Sequence, residues 1–144
     1  MSHAPDLLSG DLFAGLPKTQ QMAAGSWNFR QQFAVVMAKA IRECGKPRSE
    51  IVEEMSRLLG RKLSEYTMDK YTSMSAENYH PSLELAMVFD AVTGQMAFAN
   101  FYAEKLACRM LPGKESLFAE LGKLEQMKRE IARQERSIKK ALDG

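Results

Sequence analysis

Residues 47–71 read PRSEIVEEMSRLLGRKLSEYTMDKY, and this stretch decides the fold. In its first half, apolar residues recur at three- and four-residue spacings, which places them on one face of a helix. These residues are Ile51, Val52, Met55, Leu58 and Leu59. Pro47 suits the start of that helix because backbone N–H groups in the first turn have no acceptor within the helix, so the missing N–H of proline costs nothing there. Gly60 predicts its end, since glycine tolerates the positive φ of a C-terminal cap.

The second half of the stretch predicts a short helix from residue 64 to about residue 73. Ser64 is a good N-cap, and Met68 and Tyr71 share the face that packs on the helix below. The segment also follows a pattern common in bacterial recognition helices: a capping serine, two variable residues, threonine, an apolar residue, two polar residues and an aromatic residue. We therefore predict a helix-turn-helix whose second helix lies in the major groove of DNA.

The polar residues of this second helix and its flanks are the candidate DNA contacts. For base edges the candidates are Glu65, Thr67, Asp69 and Lys70. For phosphates they are Arg48, Arg61, Lys62, Ser64, Tyr66 and Ser73. Glu65 and Asp69 would repel phosphate, so they are useful only when they face a base amine such as that of cytosine.

The connection between the two helices departs from the standard motif. Residues 60–63 separate the apolar stripe from Ser64, which is several residues more than a tight turn needs. The alternative interpretation is a helical hairpin whose second helix only packs.

The remaining sequence is also helical in pattern. Further apolar stripes at helical spacing predict helices at residues 28–45, after a polar loop at 73–81 up to Gly94, at 95–110 and at 114–142. Sustained alternation of apolar and polar residues, the signal of a strand, is missing from the sequence. We predict an all-α fold: a helix-turn-helix domain of about five helices plus a long C-terminal helix. The expected divisions are an N-terminal arm at 1–26, the DNA-binding domain at 27–94 and a helical C-terminal region at 95–144.

Composition and charge limit the classes of protein to which this chain can belong. The chain has 144 residues, of which 45% are hydrophobic and 26% charged, as in ordinary globular proteins with a core. The formal net charge of +2 is small for a DNA-binding protein, so any basic surface must be local. The sequence begins without a signal-peptide pattern and has no apolar run of the ~18 residues that a membrane span requires. We expect a cytoplasmic protein of a bacterial host cell.

Residues with catalytic or metal-binding chemistry are few. Cys44 and Cys108 lie within apolar helical patterns and lack CxxC spacing, which predicts buried, reduced thiols. His3 and His80 have no metal-ligand spacing with other residues, and neither a phosphate-binding loop nor a nucleophile elbow occurs. We expect a protein that is not an enzyme and has no metal or cofactor.

The segments RSEI at 48–51 and MSRLLGRKLSEYT at 55–67 carry a family resemblance. Here the chain resembles the small regulatory proteins of Mu-like transposable phages and prophages, which have lambda-repressor-like helix-turn-helix domains. The resemblance covers about residues 28–94. It implies a regulator of mobile-element genes and assigns the recognition helix to residues 64–73. Pro47 departs from it, because a capping serine is expected at that position.

The segment 114–142 has apolar residues at alternating four- and three-residue spacings, which is the pattern of a coiled-coil seam. The candidate oligomerisation residues are Leu117, Leu121, Leu124, Ile131, Ile138 and Leu142. Lys128 and Glu135 occupy two further seam positions. Two interpretations stay open: the helix pairs between chains, or it folds back on its own domain. A homo-oligomer would present two recognition helices to half-sites ~34 Å apart.

A second function class also fits the sequence. A helical protein that binds other proteins through its last helix, and never contacts DNA, agrees with the small net charge. The pattern at residues 64–71 favours DNA binding instead.

Overall fold

The computed structural model describes residues 19–144, and over this range the protein is all-α with no strand. The helices are α1 (Arg30–Cys44), α2 (Arg48–Leu59), α3 (Glu65–Tyr71), α4 (Leu83–Thr93), α5 (Ala97–Lys105) and α6 (Gly113–Asp143). The predicted all-α class with a long C-terminal helix is therefore confirmed for the described residues. Most of the predicted arm, residues 1–18, lies outside them.

The chain forms two compact units, residues 19–109 with α1 to α5 and Met110–Gly144 with α6. The division falls later than the predicted boundary at residue 94. The reason is that α5 packs against α1 and α4, with Phe98 and Ala103 buried. The fifth helix thus belongs to the same core as α1 to α4.

The helices of the first unit begin and end at residues with the expected local chemistry. Gly45, Gly60 and Gly94 end α1, α2 and α4, and each adopts the left-handed conformation that is typical of a helix C-terminus. The side chains of Ser64 and Ser82 accept hydrogen bonds from backbone N–H groups in the first turns of α3 and α4. These boundaries agree with the sequence prediction to within about two residues.

One core joins the five helices of the first unit. Its fully buried large side chains are Met37, Ile51, Met55, Met68, Leu85 and Phe89. They come from α1, α2, α3 and α4, and Phe98 adds α5. The predicted stripe of α2 is buried in its first part only, because Leu58 in the last turn is half exposed. Burial of these apolar side chains is the main force that holds the short helices together.

The side chain of Arg30 lies inside this unit, with only 5% of the residue exposed. Its guanidinium donates hydrogen bonds to three backbone carbonyls: Nη2 to Lys70 at 2.8 Å and to Ser73 at 3.0 Å, and Nε to Ala76 at 3.0 Å. The first two carbonyls lie at the C-terminal end of α3, where the helix macrodipole is negative. Arg30 therefore binds α1 to the end of the predicted recognition helix.

The start of α5 depends on another long-range contact. The carboxylate of Asp90 accepts hydrogen bonds from the backbone N–H groups of Phe98 (2.9 Å) and Ala99 (2.7 Å). These N–H groups belong to the first turn of α5 and have no partner inside the helix. A side chain on α4 thus acts as the cap of α5.

The predicted fifth helix at 95–110 is too long. Helix α5 stops at Lys105, Ala107 has a φ of 56°, and the N–H of Cys108 donates to the carbonyl of Ala103 at 2.7 Å. This closure resembles a Schellman cap, in which a residue with positive φ turns the chain out of the helix. The sequence carries no glycine there to signal it. As a result Cys108 is exposed, and its predicted burial is wrong, whereas Cys44 is partly buried.

Helix α6 has 31 residues and no buried side chain. At 1.5 Å per residue it is about 46 Å long. Over residues 19–144, none of the helices combines the length and the apolar character that crossing a membrane demands.

Replacing Arg30 tests its structural role. We expect Arg30→Met to lower the free energy of unfolding by about 2–4 kcal/mol, because three carbonyls lose a charged donor. Urea denaturation followed by circular dichroism measures this. Arg42→Met, the same change at an exposed position of α1, is the control and should alter stability by less than about 0.5 kcal/mol. Equal stability of the two variants would contradict the assigned role.

Candidate nucleic-acid interface

Helix α3 is attached to the core through one face. Met68 is fully buried, and Tyr71 packs against the core. The ring of Tyr71 also meets that of Tyr79 edge to face, with centroids 5.8 Å apart. Both inward-facing residues were predicted from their spacing, and both are confirmed. The opposite face of α3 is left to solvent.

The longer connection between α2 and α3 is present, with residues 60–64 between Leu59 and Glu65. Ser56 holds it in place. Its hydroxyl accepts a hydrogen bond from the N–H of Leu63 at 2.9 Å and lies 2.7 Å from the carbonyl of Val52, to which it donates. Leu63 is buried beneath the connection. The extra residues therefore form an ordered turn anchored in α2.

Two of the predicted contact residues bond to each other at the start of α3. The Ser64 hydroxyl accepts from the N–H of Thr67 at 3.1 Å, and the two hydroxyl oxygens are 2.9 Å apart. Thr67, a predicted base contact, is only partly exposed. Its hydroxyl must therefore serve the cap and any DNA contact at once.

Tyr66 and Lys70 form a second pair on the outer face, one turn apart. Tyr66 is 65% exposed, and the Lys70 ammonium lies 5.2 Å from the centre of its ring. Such a cation–π contact is weak in water but restricts the lysine stem. The arrangement presents a positive charge beside an exposed phenol.

Arg48 and Asp69 form an ion pair between α2 and α3. Nη1 of Arg48 donates to the Asp69 carboxylate at 2.9 Å and to the hydroxyl of Thr72 at 3.1 Å. The Arg48 side chain is 33% exposed and that of Asp69 is 63% exposed. Both were predicted DNA contacts, and the structure gives each an internal partner. The pair also neutralises a carboxylate that would otherwise repel phosphate.

The other predicted contacts lie at the two ends of α3. Arg61, Lys62 and Glu65 are exposed at the N-terminal end. Ser73 lies beyond the C-terminal end of α3, where its carbonyl accepts from Arg30 and its hydroxyl is 3.0 Å from that of Ser75. The structure thus places Arg61 and Lys62 at the same end of α3 as Ser64, and Ser73 at the opposite end.

Other polar groups nearby are engaged within α2. Arg57 donates from Nε to the Glu54 carboxylate at 3.2 Å, and this hydrogen bond lowers the pKa of Glu54. Among residues 19–144, no group of histidine, cysteine and acidic side chains is arranged to hold a metal ion. The chemistry of this surface is that of hydrogen bonding and charge.

Sequence reasoning missed the residues that position α3 from below. Arg30 binds carbonyls more than 40 residues away, and no local pattern announces such a contact. Ser56 carried a weak signal, since a serine inside a helix often bonds to the carbonyl four residues earlier. Neither residue would contact a ligand directly.

Comparisons with known proteins give no relative: the chain matches no protein-family model, no curated protein and no solved structure. The assignment of this surface therefore depends on its geometry and chemistry.

Substitutions of Ser64 separate capping from DNA contact. We expect Ser64→Ala to lower the free energy of unfolding by about 1 kcal/mol, because the first turn of α3 loses its cap. Ser64→Asp keeps an oxygen at the cap and should restore the stability. Thermal or urea unfolding of both variants checks this. Equal loss of stability in the two variants would show that the hydroxyl acts in some other way.

Proposed function

We propose that this protein binds double-stranded DNA with sequence specificity through the outer face of α3 and regulates transcription from the bound site. The observation that carries the proposal is the two-sided build of α3. Met68, Tyr71 and the carbonyls bound by Arg30 fix the inner side, while polar side chains occupy the outer side. A recognition helix needs an inner side that is packed firmly on the domain and an outer side with accessible polar groups.

The charge distribution around α3 supports phosphate binding. Arg61 and Lys62 are exposed in the turn before α3, and Lys70 lies on its outer face. Each such cation can replace a counterion of the DNA backbone. In this proposal the net charge of +2 suffices because the basic groups are concentrated locally.

The base contacts of the proposal fall first on Glu65, which is exposed, and on Lys70, which is partly exposed on the outer face of α3. Glu65 can accept from the amine of cytosine, and Lys70 can donate to the acceptors of guanine. Thr67 and Asp69 contribute only if DNA replaces or shares their bonds to Ser64 and Arg48. The proposed specificity therefore depends first on Glu65 and Lys70.

The biological setting belongs to the same proposal. The similarity of residues 48–67 to regulators of Mu-like phages and prophages favours a regulator of mobile-element genes in a bacterial cytoplasm. Such a protein acts by occupying DNA and requires no catalytic group.

Selection from a library of randomised duplexes in ~150 mM salt, at near-physiological ionic strength, tests the proposal. The expected result is one enriched motif in the sequenced pool. Lys70→Ala should weaken binding to that motif by about 10- to 100-fold, which is the effect of losing one good base contact. The backbone carbonyl of residue 70 remains in this variant, and so does its hydrogen bond from Arg30. Lys123→Ala on α6 removes the same charge elsewhere and should leave binding almost unchanged.

A retained pool without enrichment would instead favour the helical protein-interaction function. Loss of helicity in the Lys70→Ala variant would show that Lys70 is structural. Circular dichroism of every variant separates that case from a loss of DNA contact.

Asp69→Asn tests the internal ion pair. Removal of the carboxylate charge frees Arg48 for phosphate, so binding to duplexes without the motif should strengthen. The plot of log affinity against log salt should steepen by about one unit, as expected for one added phosphate contact. Titration of a non-motif duplex at several salt concentrations measures this. An unchanged slope would mean that Arg48 does not reach the backbone.

A further inference from the structure

Helix α6 presents an apolar face that no part of the described chain buries. We call this face the α6 seam; its positions are Leu117, Leu121, Leu124, Lys128, Ile131, Glu135, Ile138 and Leu142. Its six apolar residues are each between 51% and 79% exposed. An exposed stripe of six large apolar residues at coiled-coil spacing marks an interaction surface.

The helix also has little reason to be stable alone. Helices in folded proteins gain most of their stability from tertiary packing, and α6 has no buried residue. Gly122 lies within the first third of α6, where a glycine lowers helix stability by roughly 1 kcal/mol relative to alanine. A partner on the seam would supply the missing packing.

We propose that the partner is α6 of a second copy of this chain, packed antiparallel, with the two helices centred between residues 129 and 130. The charged residues in and beside the seam favour this orientation. This pairing goes beyond the proposed function, because it needs no DNA.

A parallel pair would bring like charges together. In that arrangement every seam residue faces its own copy, so Lys128 meets Lys128 and Glu135 meets Glu135 inside the interface. The flanking positions add a third conflict, since Glu120 of one helix approaches Glu125 of the other. Like charges at such short range are destabilising, most of all where the pair excludes water.

The antiparallel pair removes all three conflicts. Its layers join Leu117 to Leu142, Leu121 to Ile138, Leu124 to Glu135 and Lys128 to Ile131, each taken from opposite copies. The two charged seam residues then face apolar neighbours and can extend their stems along them to reach water.

The flanking positions agree with the antiparallel pair. Phe118 comes beside Lys139 of the second copy, a suitable cation–π pair. Glu120 and Glu125 come beside Ala141 and Ala132 of the second copy, so neither glutamate meets a like charge. The seam is therefore complementary to itself in this one orientation.

The pairing has a geometric consequence for DNA binding, and this consequence rests on the proposed function. Gly113 lies about 16 residues from the centre of the pair, so the two copies of Gly113 are about 50 Å apart at opposite ends. The two copies of the first unit are therefore joined to opposite ends of the helix pair. This separation is longer than one turn of DNA, which is ~34 Å. A parallel pair would attach them at the same end.

Disulfide trapping in the full chain tests the orientation, in a background with Cys44→Ser and Cys108→Ser. Leu117→Cys combined with Leu142→Cys should give a covalent dimer under mild oxidation, because these positions share a layer only in the antiparallel pair. Leu117→Cys alone and Leu142→Cys alone should stay uncrosslinked. Lys123→Cys combined with Arg136→Cys is the matched control, since these residues lie at one level of the rod but face outward.

A charge-sign test at one position supports the trapping. Leu124 faces Glu135 of the second copy in the antiparallel pair, so Leu124→Lys should dimerise at least about tenfold more tightly than Leu124→Glu. In a parallel pair each variant would face its own charge, and the two would be weakened alike. Sedimentation equilibrium of both variants and of the unmodified chain measures the dissociation constants.

Several results would overturn the proposal. Crosslinking of the single-cysteine variants would show a parallel pair. A monomer in sedimentation at up to ~100 µM, a concentration at which even a weak pair with micromolar affinity forms, would favour a helix that folds back or binds another protein. A dimer without the expected crosslink would contradict the register. Because none of these measurements uses DNA, failure of the DNA selection alone leaves the pairing intact.

Discussion

A buried guanidinium needs hydrogen-bond acceptors, and in this protein Nε and Nη2 of Arg30 find them in parts of the first unit far along the chain, whereas its Nη1 is buried without one in the described structure. Arg30 on α1 binds two carbonyls at the end of α3 and one in the following loop. The same end of α1 carries Phe33, whose ring meets Phe98 and Phe101 of α5 edge to face at 5.6 and 5.3 Å. The position of α3 is thereby coupled to α1 and, through the aromatic rings, to α5.

This coupling explains how a helix of seven residues can keep a defined position. Short helices are not stable alone, so α3 depends on Met68 below it, Ser64 at its start and Arg30 at its end. Several polar side chains on α3 and its flanks take part in these internal contacts. Those left for other contacts are fewer than the residue types suggest: Glu65 and Tyr66 are exposed, and Lys70 is partly exposed beside Tyr66.

The two units use opposite solutions to the same physical problem. Residues 19–109 bury a set of apolar side chains from all five of their helices in one core, whereas α6 buries none of its own. The first unit therefore holds the short α3 in place through its core, and the second unit offers an apolar face for the proposed pairing. The proposed antiparallel pair would make α6 a spacer between two such surfaces.

The sequence by itself determined the all-α class, the order of the helices, the glycines that end three of them, the Ser64 cap and the inward face of α3. These features depend on contacts within one or two turns, so residue spacing is enough to predict them. Only the tertiary structure decided that Arg30 binds the end of α3, that Arg48 pairs with Asp69 and that α5 stops at Lys105. The first two contacts join residues far apart in sequence, and the third needs a positive φ at Ala107 that no glycine signals. Such partners are chosen by how the helices pack, which local spacing does not specify.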